Sequence, residues 1–213
     1  MKELPAKIKI TDREKFVRNV YASLDEAIAD GLDRLRVEEG LQPTCSAGCA
    51  HCCRFHIVIN LAEARTLAQY IRQEWPPDQI AALKLRTRQW HAWDHSRPGR
   101  PGSNPIEKEI DLSQYEDCCP LLVNNRCSVY AVRPIICRTH FVSTPPGSCQ
   151  AANHPAATGA APITLAALTA AADPFGQMIR RHLEEAGWDY DRTLMLLPHS
   201  LAIAMGWDFG IAL

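Results

Sequence analysis

Cys45-Ser46-Ala47-Gly48-Cys49-Ala50-His51-Cys52-Cys53-Arg54 is the stretch on which the chain turns, and Cys118-Cys119-Pro120, Cys127 and Cys137-Arg138 answer it further along. A two-residue gap lets both thiolates turn onto one metal ion, with the intervening amides aimed at the sulfurs; a three-residue gap does so across one helical turn. Gly48 permits the tight backbone such a loop needs. The adjacent pair Cys52-Cys53 is different. Neighbouring side chains diverge in a strand or a helix, so either one is a ligand and the other is buried, or they serve two metal centres. In the second group the gaps are seven residues from Cys119 to Cys127 and nine from Cys127 to Cys137, too long for a local knuckle. A hairpin between Cys119 and Cys127 would bring those sulfurs together, and Arg133-Pro134 would start the turn that returns Cys137. Cys149, in a Pro-Pro-Gly-Ser loop, is a further candidate.

Composition narrows what these thiols do. With 213 residues the chain suits one domain (1–213) that buries a real core. Hydrophobic residues make up 46% and charged residues 22%, and the net charge of −1 offers no basic excess for phosphate backbones, so no nucleic-acid partner is expected. Residues 1–10 lack the apolar core of a signal peptide. The longest uncharged stretch, Pro155 to Ala172, is Ala-rich and too weakly apolar for a membrane span. It is either a partner surface or a packed helix. The expectation is a cytoplasmic protein with no membrane partner. The cytosol keeps thiols reduced, so nine cysteines, an odd number, point to metal before disulfides.

Helical signals surround the cysteines. Thr11 with Glu14 forms a capping-box pattern, Phe16, Val20, Leu24, Ile28, Leu32 and Leu35 recur at helical spacing, and Gly40 is the stop, so 11–39 reads as a helix. Asn60 with Glu63 caps a second, ended by Pro76-Pro77, and a third runs from about Asp78 to Asp94. Ser96 to Pro105 reads as a loop. Leu121-Leu122-Val123, Asn124-Asn125 and Arg126 to Tyr130 form a small β-hairpin, because the Asn pair tolerates the left-handed turn. Asp173 caps a further helix with Pro174 at its first position, and another lies near Leu194 to Met205. The fold class is mainly α: a helical domain with two cysteine-rich loops and a small β-hairpin forming a metal site, with 45–138 as the metal-binding core and 155–213 as a C-terminal helical part.

The pattern C-x3-C-x2-C-C followed by C-P-L…C-x-V-Y-x-x-R-P-x-x-C-R resembles the YkgJ-type cysteine-cluster family, the CxxCxxCC zinc- or iron-chelating domain. Cys45, Cys49, Cys52, Cys53, Cys119, Pro120, Cys127, Val129, Tyr130, Arg133, Pro134, Cys137 and Arg138 carry the resemblance. It implies a metal-chelating role. Through the flagellin lysine methylases, which are similar to it, it also implies that protein modification and iron–sulfur chemistry occur on this framework. No adenosylmethionine site is recognisable here.

The metal candidates are therefore Cys45, Cys49, Cys52, Cys53, Cys119, Cys127, Cys137 and Cys149. Four thiolates leave a charge of −2 on either Zn²⁺ or a [4Fe–4S]²⁺ cluster, and Arg54, Arg133 and Arg138 stand beside the candidates to offset it. More thiols than one structural zinc requires favour iron or an iron–sulfur cluster, with a redox or modifying role on a protein or peptide partner. The alternative is a zinc-stabilised structural or interaction module; a metal carrier or sensor is a third. Tyr130 and Arg133 also suit a structural role, ring packing under the hairpin and an ion pair with Glu116 or Asp117. His51, His56 and His140 read as residues around the site. His91 and His95 have the spacing of a two-histidine metal site, although Trp90, Trp93 and Asp94 suggest an amphipathic helix edge. Arg180-Arg181-His182 reads as a solvated face.

Overall fold

A computed structural model describes residues 10–46, 48–55, 57–96, 118–152 and 161–210, with side chains from residue 15 onward. Helix α1 (Ile10–Glu38) buries Val17, Val20, Tyr21, Leu24, Ile28 and Leu35 along one stripe. It ends where the Leu41 amide donates to the Leu35 carbonyl at 3.1 Å, six residues back, around Gly40 at φ +64. That reversal needs the left-handed conformation that glycine takes without a Cβ penalty. The side chains of Thr11 and Glu14, expected to cap this helix, lie outside the described residues.

Strand β1 (Val58–Ile59) leads into α2 (Leu61–Glu74), and both halves of the Asn60/Glu63 capping box are present. Trp75 turns extended ahead of Pro76-Pro77, and α3 (Pro77–Ser96) begins at the second proline. The rest of the expected Ser96–Pro105 loop is outside the described residues. Strands β2 (Leu122–Val123) and β3 (Arg126–Cys127) pair antiparallel, Leu122 opposite Cys127. Asn124 and Asn125 have φ of 50 and 57, so the expected tight turn is present. Three short helices follow: α4 (Ile135–Thr139), α5 (Pro146–Ala152) and α6 (Ala166–Ala170).

Helix α7 (Asp173–Glu185) differs from its sequence reading. Ala172, already helical, is the N-cap and no side chain caps α7, because Ala171 and Ala172 keep right-handed helical backbone between α6 and α7. Arg180 is not simply solvated: it bonds Asp191 at 2.6 Å and lies over the Tyr190 ring. The last helix, α8 (Leu197–Met205), starts later than expected because Met195–Leu196 forms β4, paired with β1. Two-residue strands leave no periodic trace in a sequence.

Helix α2 is central, packed between α1 and α8, while α3 covers α8 and α7 covers α1. Its inner face (Ala64, Leu67, Ala68, Ile71) meets Leu197 and Leu201 of α8 and Leu83 of α3. Leu24 and Ile28 of α1 meet Leu165, Leu168 and Ala172, so Ala166–Ala170 of the Ala-rich stretch is packed helix. Gly31 makes that approach, since a Cβ there would stand 2.8 Å from Leu168 Cδ2. The main core also reaches Leu121, Val129 and Val132, anchoring the second cysteine segment on α2.

Candidate metal centre

The two cysteine segments meet. The Cys119 amide donates to the Cys53 carbonyl at 2.8 Å, joining loops far apart in the chain. Thr44 fastens the start of the first loop, its amide to the Val142 carbonyl at 2.9 Å and its hydroxyl to the Thr144 carbonyl. Arg86 of α3 donates to the Pro120 carbonyl at 2.9 Å and holds the second. Helix α5, bearing buried Cys149, packs on the 3-10 turn His51–Arg54. Cys149 was expected in a loop and is instead helical. The returning turn at Arg133-Pro134 is present, with the Cys137 amide bonded to the Pro134 carbonyl at 3.0 Å.

Cys52 is the hub. Its charge is felt by Cys45, Cys53, Cys119, Cys127, Cys137 and Cys149. The adjacent pair does not diverge as an extended strand or α-helix would require. On the 3-10 turn the Cys52 and Cys53 thiols hydrogen-bond to each other, which lowers Cys52 to about 7 and raises Cys53. Burial pushes Cys119 up to about 12 and raises Cys45, Cys127, Cys137 and Cys149. Backbone donors oppose that burial at three sulfurs: Val142 on Cys45, Leu121 on Cys119 and Val129 on Cys127. In the last two the amide lies two residues after its cysteine.

The three arginines have unlike surroundings. Arg54 is exposed. Arg138 is buried and clamps the backbone, donating to the Arg133 and Ala131 carbonyls at 2.8 and 2.7 Å and to Asp25, with its guanidinium over Tyr21. Arg133 lies 3.7 Å over the Tyr130 ring and favours the thiolate of Cys52 and of Cys127. Its Nε and Nη1 are buried with no hydrogen-bond partner among the described residues. The expected partners Glu116 and Asp117 lie outside those residues. Tyr130 does not pack under the hairpin; it is 65% exposed, roofed by Arg133. His140 is half-buried against Phe55, and burial lowers its pKa. His51 is half-buried on the 3-10 turn and His56 is outside the described residues.

Glu63 was legible as a helix cap and not as a support of the site. Buried among α1, α2 and α4, it accepts from Asn60 Nδ2 at 2.8 Å, Tyr21 Oη at 3.2 Å and the Ile135 amide at 2.9 Å. One carboxylate thus caps α2 and holds the start of α4, which carries Cys137. Burial raises its pKa.

Among the described residues no three His, Cys, Asp or Glu side chains stand ready as ligands of one ion. The expectation that the loops and hairpin form a metal site is met only as far as convergence. The donor set nevertheless fits a thiophilic cation. Buried thiols that favour their protonated form become thiolates beside a metal ion, backbone donors aim at three of the sulfurs, and the Arg133 guanidinium, with two buried nitrogens unbonded among the described residues, acts on Cys52 and Cys127 where negative charge would gather. No helix is long and apolar enough to cross a membrane.

No curated protein and no solved structure matches the chain. The family described as "CxxCxxCC: Putative zinc- or iron-chelating domain" matches residues 44–156, just over half of the sequence and the whole interval from Cys45 to Cys149. The chain belongs to the CxxCxxCC family of zinc- or iron-chelating domains.

Proposed function

We propose that the thiols around Cys52 bind iron, as ions or as an iron–sulfur cluster, for a redox or modifying role on a protein or peptide. The observation that carries this reading is that the two cysteine segments meet, the Cys119 amide on the Cys53 carbonyl at 2.8 Å, with more thiols on them than one structural zinc takes. Six cysteines other than Cys52 feel its charge, and a structural zinc takes four ligands in all. Cys149 feels the charge of Cys45 and Cys49, whereas Cys53 and Cys137 feel that of Cys119 and Cys127, with Cys52 common to all of them, a grouping that suits a cluster or two ions. Arg133 and Arg138, which both favour the Cys127 thiolate, and Arg54, next to Cys53 in sequence, offset the negative charge that such thiolates bring. Bound iron would supply electron transfer or Lewis acidity. The residues of the chain position the sulfurs, shield them and balance their charge.

A zinc-fastened module is the second reading. The position of the thiols favours it, because they stand on the first cysteine loop, the hairpin, α4 and α5, short elements that a shared ion would fasten to one another. Anaerobic purification with elemental analysis separates the two. Iron with absorbance near 400 nm that dithionite bleaches supports the first. A colourless protein with one zinc per chain sinks it. Cys49→Ser and Cys127→Ser are each expected to lower metal content; retention in both variants would show that the segments do not share a centre.

A further inference from the structure

Away from the thiols, α3 and α8 bury a second group of ligating side chains. His91 and His199 are 8% and 3% exposed, and their Nδ1 atoms face each other at 3.2 Å. The other nitrogen of each ring is committed. His91 Nε2 lies 2.8 Å from the Phe209 carbonyl, and His199 Nε2 lies 2.9 Å from Oδ2 of the buried Asp94. A carbonyl only accepts, and so does a carboxylate, so each Nε2 carries the hydrogen. In neutral rings both Nδ1 atoms then present lone pairs to one another, an arrangement that requires something positive between them.

We propose that His91 and His199, completed by His95, bind a divalent cation of the zinc class at a site separate from the cysteines. Two nitrogens bound at about 2.1 Å to one tetrahedral ion lie roughly 3.4 Å apart, close to the spacing already present. Metal-bound histidines commonly donate their second ring N–H to a carboxylate or a backbone carbonyl, which fixes the tautomer and raises ligand basicity. Here Asp94 and Phe209 fill both roles, and Asp94 also supplies buried negative charge. His95, one turn beyond His91 on α3, has its ring 4.2 Å from that of His91 and 6.3 Å from that of His199, and it is exposed, so it can turn inward as the third ligand. Solvent takes the fourth position. Such an ion would clip α3 to α8 and to the segment carrying Phe209.

The test is zinc titration of the full chain, followed by long-range ¹H–¹⁵N spectra of the histidine rings and by equilibrium dialysis. On binding, the Nδ1 resonances of both His91 and His199 move to metal-bound positions while both Nε2 atoms keep their protons. His199→Gln binds one zinc fewer per chain, and His95→Ala weakens uptake at this site about tenfold while the cysteine-bound metal is unchanged. A proton found on either Nδ1 in excess zinc overturns the proposal. So does unchanged stoichiometry in His199→Gln, or unchanged affinity in His95→Ala. Should His199→Gln fail to fold, the wild-type ring spectra and His95→Ala, a change at an exposed position, decide the matter.

Discussion

Cys52 and Cys53 differ by one position in sequence and by their whole chemistry. The shared hydrogen bond leaves Cys52 an exposed thiol titrating at about 7 and makes Cys53 its donor. In metal-free protein, iodoacetamide should therefore modify Cys52 first, with a half-maximal rate near pH 7, while Cys119, pushed up to about 12, stays unreactive. Cys53→Ala should raise that midpoint toward the ~8.5 of an ordinary thiol. Arg133→Leu should raise it by less, since the thiol donor is the larger cause. Mass spectrometry of alkylation against pH reads both. Glu63 acts in another way. Its pKa is higher folded than unfolded, so its contribution is whole below about 4.3 and is lost as pH rises through the folded value. Glu63→Gln should flatten that slope in urea unfolding. Glu63→Ala should cost about 3 kcal/mol at low pH and less as pH rises, because it strands the Ile135 amide and the Tyr21 hydroxyl.

At the level of elements, local signals were readable and distant pairings were not. Asn60 with Glu63, Gly40, Pro76-Pro77 and Asn124-Asn125 each announce a boundary through their own backbone chemistry, and the structure uses all of them. Asp173 gave the same kind of signal and was overruled by the preceding turn of helix at Ala172. The pairing of β1 with β4 and the meeting of His91 with His199 have no local trace, because each joins residues more than a hundred positions apart. The cysteines themselves were legible as a set; that a 3-10 turn would bring Cys52 and Cys53 together was not. The hairpin is the element most open to test. Asn124→Val forces a β-branched residue into positive φ and should cost about 1–2 kcal/mol, while Asn125→Gly should be neutral or better. Metal content should fall with Asn124→Val, because the turn sets where Cys127 stands.

For the whole molecule, the core and the cysteine segments divide the stability between them. The stripes of α1 and α8 are buried against α2 and carry no cysteine of their own, with Cys119 and Cys127 only at the margin of that core, whereas the described part of the first cysteine loop is fastened mainly by backbone hydrogen bonds. Stripping the metal with a chelator should leave most of the far-ultraviolet helical signal intact. Amide exchange should rise in 45–55 and 118–140 and stay slow in α2. Loss of the helical signal on the same treatment would show that the metal organises the core as well.

The pairing of β1 with β4 bears on how the protein is made. The chain leaves the first cysteine loop through Ile57, Val58 and Ile59, and their partners are Leu196 and Met195, with the Leu197 amide closing on the Ile57 carbonyl at 2.9 Å. A ribosome produces those partners long after the cysteines have emerged. The exit of the first cysteine loop is therefore closed late in synthesis, and the thiols that emerge earlier stand without that closure until residues 195–197 follow.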